Sequence, residues 1–265
     1  MSAARWINER LLKGQSVSLP PGVFHIDSSL FVPAGRTATI AGAGRDLTRL
    51  AIADGAAFGV RSLGTLVLED LTVDGSMQHK QAMVSGGNMT LRRCRVLGGF
   101  VDCVYSETPN ALEVDDLRIG AMPWTGPGNG YGLHVKGPTS AGTRTIGGVQ
   151  PHDMGMRHLI TLEDRVDNVS VTNCSTPSGA NFATLDLHGK NEGKASAGSI
   201  TATNCVGRFN VGNDTFTNGS HLTLENCDLD GRKVHLYRNS LVRRRNVAGW
   251  QLDDNSAGTG SVQDF

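Results

Sequence analysis

One short segment grammar recurs along the chain and limits what the chain can fold into. It reads TLVLEDLTVDG (65–75), MTLRRCRVLGG (89–99), ALEVDDLRIG (111–120), NVSVTNCSTPS (168–178), SITATNCVG (199–207) and HLTLENCDLDG (221–231). Each copy holds two alternating apolar positions, two polar residues, then Leu or Cys. Leu66, Met89 and Leu112 follow at steps of 23, and Ile200 and Leu222 at 22. A period in the low twenties is a solenoid signature, because each unit can bury its apolar face only against the next.

A second strand type advances in parallel, anchored at Val60, Val84, Val104, Val135, Leu162, Leu187, Val211, Leu236 and Leu252 with steps of 24, 20, 31, 27, 25, 24, 25 and 16. Short strands at this spacing, with no room for a helix in each repeat, predict an all-β parallel β-helix with like strands about 4.8 Å apart. Cys94, Cys174, Cys205 and Cys227 then stack inside as small apolar residues, and Asn173, Asn204 and Asn226 stand at bends. AARWINERLLKG places Trp6, Ile7, Leu11 and Leu12 at near-helical spacing before Gly14, which suits a helix capping the first coil. The expected division is a helical cap over 1–14, the β-helix over 15–255 and a polar tail over 256–265.

Composition agrees with a turn-rich β protein: 34 Gly against 3 Tyr and 3 Trp, 38% hydrophobic and 19% charged residues. A formal net charge of +0 gives no global pull towards nucleic acid or an anionic membrane, so neither is an expected partner. No apolar run reaches the ~20 residues of a membrane span, and MSAARWINERLLKG lacks the apolar centre of a signal peptide. Five Cys without a C-x-x-C pair indicate neither a disulfide framework nor a zinc ribbon. The GxG of GAGRD (42–46) lacks the third Gly and the helix of a dinucleotide loop and reads as a bend between coils, so no cofactor is expected. His152, Asp153 and His158 match no strong metal motif, and no metal is expected.

The opening pieces LPPGVFHI (19–26), LFVPAG (30–35) and IAGAGRDLTRL (40–50) resemble the first turns of the pectate-lyase-like right-handed β-helix family, especially phage tail spikes and related polysaccharide-degrading proteins. MRHLITLE (156–163) followed by LDLHG (185–189) is similar to paired segments of phage appendage-type β-helices. The resemblance implies a right-handed solenoid, a virion (phage tail) or extracellular setting, a bacterial polysaccharide as ligand, and a homotrimer or other virion proteins as partners. The chain departs from the family in two respects: no Asp set is spaced like the calcium site of pectate lyases, and no Asp-Asp or Gly-His-Gly run matches polygalacturonases.

Aligning the second strand type gives two outward columns. One runs Gly59, Met83, Cys103, His134, Thr161, Asp186, Asn210, His235 and Gln251; the other runs Arg61, Ser85, Tyr105, Lys136, Glu163, His188, Gly212, Tyr237 and Asp253. From His134 onward these columns are rich in proton-transfer groups, and before it they are sparse. Glu163 and Asp186 form a diagonal pair at roughly 7 to 8 Å, a separation from which two carboxylates can serve as acid and base on a glycosidic bond. His188 would assist them. Trp124 and Tyr131, in the longest insertion, and Arg157 would hold sugar, and His134, Lys136, His158, His235 and Tyr237 complete the expected binding face. A polysaccharide lyase, with His188, His235 or Tyr237 as base and Lys136 or Arg238 as cation, uses the same face. So does a non-catalytic virion or adhesion module, for which the polar columns serve binding or solubility.

Overall fold

The computed structural model describes residues 2–54, 56–75, 82–107, 109–120, 129–137, 142–164, 166, 168–188, 199–211, 221–229, 233–236, 241–254 and 261–265. It is an all-β, right-handed parallel solenoid with one short N-terminal helix. The first segment grammar builds a 15-stranded sheet and the second a 10-stranded sheet. The latter stacks Leu30–Val32, Val60–Ser62, Val84–Gly86, Asp102–Glu107, Tyr131–Lys136, His158–Glu163, Ala183–His188, Phe209–Val211, Lys233–Leu236 and Gln251–Asp254 in chain order. No helix among the described residues is long and apolar enough to cross a membrane.

The alternation works as a strand pleat requires, sending every second side chain into the space between the sheets. One inward column pairs Leu66 with Met89, Leu112, Arg144, Val169, Ile200, Leu222 and Val242 in succession. All eight are at most 3% exposed, and each fully buried aliphatic contributes about 1.5–3 kcal/mol. Arg144 is the exception in chemistry. Its guanidinium lies fully buried, donating to Pro109 O at 2.6 and 3.1 Å and to Gly142 O at 3.0 Å, so a cation satisfies carbonyls that the loop leaves inside.

The bend of each coil has a fixed conformation. Asp70, Arg93, Asp116, Asn173, Asn204, Asn226 and Asn246 all have φ between 50° and 57°, in the left-handed region that Asn and Asp tolerate best. Asn204 Nδ2 donates to Asn173 Oδ1 at 3.4 Å and Asn246 Nδ2 to Asn226 Oδ1 at 3.1 Å, so the expected bend residues also bond to one another across coils. Cys174, Cys205 and Cys227 stack directly, as the bridges one residue later show. Each thiol donates to the carbonyl two residues before it, at 3.3–3.4 Å. Cys94 is equally buried, but its neighbour in the next strand is Leu117 rather than another Cys.

The helix Ala3–Leu11 covers the first coil with Ala4, Ile7 and Leu11, while Leu12, expected on that face, is 51% exposed. Asn8 blocks the open strand edge: its Nδ2 donates to Ser29 O at 3.0 Å, and its Oδ1 accepts from Phe31 N at 2.9 Å. At the other end, residues expected as a polar tail form the strand Ser261–Asp264, paired with Leu241–Arg245. The GAGRD bend is a close crossing. A Cβ on Gly42 would lie 2.3 Å from Asp70 O and 2.8 Å from Thr48 Cβ. Gly42→Ala is therefore expected to lower stability by about 1–3 kcal/mol, read as a reduced urea midpoint with an unchanged slope.

Candidate active site

The site lies on the outer face of the 10-stranded sheet, and its composition follows from a register that differs from the sequence alignment. Val104 pairs with Leu133, not Val135, so Tyr105 rather than Cys103 stands beside His134. The outward column therefore runs Arg61, Ser85, Tyr105, His134, Thr161, Asp186 and Asn210, and His235 and Asp253 follow in backbone register. Gly59, Met83 and Cys103 leave it, and Met83 and Cys103 are fully buried. Gln251 leaves it as well, pairing with Lys233. The adjacent column holds Glu107, Lys136, Glu163 and His188.

Alternation also breaks at the start of three successive strands. Cys103 and Leu159 are fully buried next to Val104 and Ile160, and the residues before them, Asp102 and His158, reach the His134 face. Tyr131, in register with both, joins them with its ring centroid 5.0 Å from that of His134. This brings in Asp102, which the sequence reading missed because strict alternation points it inward. The signal that would have revealed it is the match of DCVY with YGLH, with Tyr105 over His134.

His134 is the centre. Its Nδ1 lies 2.9 Å from Asp102 Oδ1 and its Nε2 2.9 Å from Glu163 Oε2, and all three side chains are at most 8% exposed. Burial alone would push the imidazole down, but the hydrogen bonds to Asp102 and Glu163 outweigh it and raise its pKa to about 9. Burial pushes the Asp102 carboxyl up, against the pull of His134, so the two compete for one proton. At neutral pH the imidazole, with its raised pKa, is a cation that faces both Asp102 and Glu163. The edge of the Tyr105 ring, at 5.3 Å and 71°, closes another side.

Around this array stand the other groups. Lys136 Nζ is 4.0 Å from Glu163 Oε1, adding a second cation to that carboxylate. Asp186, 4% exposed, accepts from Asn210 Nδ2 at 3.1 Å and lies 3.7 Å from His158 Nε2. Arg157 Nη1 donates to the Tyr131 hydroxyl at 2.7 Å and its guanidinium lies 5.3 Å from the Tyr131 ring centroid. Burial nevertheless keeps the Tyr131 phenol above its usual value.

The structure thus gathers Tyr131, His134, Lys136, Arg157, His158, Glu163 and Asp186 on one face. His188 and His235 lie in strands of that sheet, paired with Glu163 and Asn210, but their side chains lie outside the described residues, as do Trp124 and Tyr237 altogether. His152 is exposed, and among the described residues no group of three or more His, Cys, Asp or Glu is arranged to hold a metal ion.

No family model matches the chain, and no curated protein matches it. Solved structures do. ORF18 of Geobacillus virus E2 superposes with a TM-score of 0.61 at 13% identity, over 95% of this chain and 53% of that one. The Agl-KA catalytic domain superposes with a TM-score of 0.51 at 9% identity, over 98% of this chain and 64% of that one. The chain spans between about half and two thirds of the length of these two proteins, and at such identities the likeness is one of fold: this chain is a β-helix similar in architecture to a phage protein and to an enzyme's catalytic domain.

Proposed function

We propose that the protein is a glycoside hydrolase acting on a bacterial surface polysaccharide, as part of a phage tail appendage with other virion proteins and further copies of itself. The observation that carries the reading is the buried Asp102–His134–Glu163 array beside Asp186 on one sheet face. Glu163 faces the His134 imidazole and the Lys136 ammonium, which suits it to take a proton from water or to attack the anomeric carbon. The second carboxylate, Asp186 on the neighbouring strand, serves as the acid that protonates the leaving oxygen. Asp102 is a positioning residue: it fixes the imidazole that fixes Glu163. Support from outside the site is limited to architecture, through the likeness to a phage protein and to a catalytic domain.

The rival reading is a non-catalytic glycan-binding or adhesion module. It is favoured by one observation, that Asp102, Glu163 and Asp186 are each at most 5% exposed, as expected of groups that brace a sheet. Incubation with a panel of bacterial O-antigens, capsules and exopolysaccharides, following reducing ends and absorbance at about 232 nm together, separates the possibilities. New reducing ends without absorbance are the expected result. Absorbance moves the chemistry to a lyase, and silence across a panel that includes the host glycan leaves the binding module.

A further inference from the structure

The corrected register carries the His134 column into the N-terminal coils, where the sequence reading found few proton-transfer groups. Arg61, Ser85 and Tyr105 continue the His134 column over three coils, so Arg61 stands roughly 14 Å from His134 at about 4.8 Å per coil. Two depressions, of about 240 and 280 Å³, share Arg61, Ser85 and Glu107 and form one shallow trough that ends at Asp102 and Tyr105. Arg61 is exposed, with its guanidinium 4.9 Å from the Phe58 ring centroid, and it makes no ion pair with a described residue.

We infer that this trough is a glycan subsite that continues the proposed active site towards the N-terminal coils; the inference rests on the hydrolase reading for the identity of the ligand. A pyranose needs a flat apolar patch for its C–H face and paired donors and acceptors for its hydroxyls. Tyr105 and Phe58 supply the first, and Arg61, Glu107 and Ser85 supply donor, acceptor and hydroxyl. A trough holding both an arginine and a carboxylate favours a neutral, hydroxyl-rich sugar over a uronate, whose charge Glu107 and Asp102 would repel. The rise of one coil is close to the length of one pyranose, so the trough takes two to three sugar units beyond the bond at Glu163 and Asp186. The substrate is then a chain of several sugars.

The test uses the full chain in a Glu163→Gln background, so that binding is read without turnover. Isothermal titration is run with dextran, a neutral O-antigen polysaccharide, alginate and polygalacturonate, for the parent and for Arg61→Ala and Ser85→Trp, with Arg5→Ala on the N-terminal helix as control. The expected result is binding of a neutral polymer that weakens about tenfold in Arg61→Ala and more in Ser85→Trp, while Arg5→Ala matches the parent. Equal affinity in parent, Arg61→Ala and Ser85→Trp overturns the subsite and leaves the hydrolase reading standing. Preference for alginate or polygalacturonate overturns the neutral-sugar assignment. Binding of a polymer that the wild-type protein never cleaves overturns the hydrolase instead and leaves the trough as a binding site. No binding by the parent to any of the four overturns the subsite.

Discussion

Glu163→Gln is expected to lower the turnover of a cleaved glycan by about a hundredfold to ten-thousandfold, the range that a positioned acid or base contributes. The amide retains the size of the carboxylate and can still meet His134, so the fold survives while the anion is lost. Asp186→Asn is expected to have an effect of the same order, and the double variant little more than either single one, because groups acting on one bond are not additive. Asp102→Asn separates positioning from chemistry. The amide cannot hold the imidazolium as the carboxylate does, so turnover falls by a smaller factor and the pH profile moves, whereas loss of packing alone would leave the profile in place. Initial rates of reducing-end release across pH, for the wild type and the four variants, check these outcomes.

The second large effect is on stability. The His134 pKa rises from 6.5 in an unfolded chain to about 9 in the folded one. Both states hold the proton below pH 6.5, and there the stabilising contribution is complete. Above that pH the unfolded chain releases its proton first, so folding stability falls as pH climbs, until the folded protein releases its own proton near 9. The loss between pH 6 and pH 10 is about 3 kcal/mol at most, and competition from Asp102 for the proton reduces it. His134→Gln is expected to be several kcal/mol less stable at pH 7, because Asp102 and Glu163 lose the cation between them, and to show little change between pH 6 and pH 8, below the range where the buried thiols of Cys94, Cys103, Cys205 and Cys227 add their own loss. Urea unfolding at intervals of pH, followed by circular dichroism, measures both. A wild-type protein whose stability is flat from pH 6 to pH 8 would remove the charged imidazole from the site.

The solenoid was legible because it repeats: alternation with a period in the low twenties leaves few other ways to bury Leu66, Met89 and Leu112 together. The outer face was legible in part for the same reason, since Glu163 and Asp186 alternate with Leu162, Leu185 and Leu187, which point inward. Register across the longest insertion was not. Val104 fits equally well over Leu133 or Val135, because both are buried aliphatics two residues apart, and a shift of two keeps every side chain on its proper face. Periodicity cannot see such a slip. It set Tyr105 over Lys136 instead of over His134 and so broke the line from Arg61 and Ser85 to the site. Asp102 was hidden by a different cause, since a local break in the pleat puts an ionisable residue where alternation expects an aliphatic one. Arg144 shows the same limit, as its inward column is otherwise apolar and its burial is matched by the loop carbonyls of Pro109 and Gly142, which periodicity does not register.

The claim that the Asp102–His134–Glu163 array and Asp186 hydrolyse a glycan is tested most directly by weighing the products of one defined host-surface oligosaccharide by mass spectrometry. The account expects product masses that sum to the substrate plus one water, from the wild-type protein and not from Glu163→Gln. Product masses that sum to the substrate alone, or an intact oligosaccharide under conditions where it binds, would contradict it.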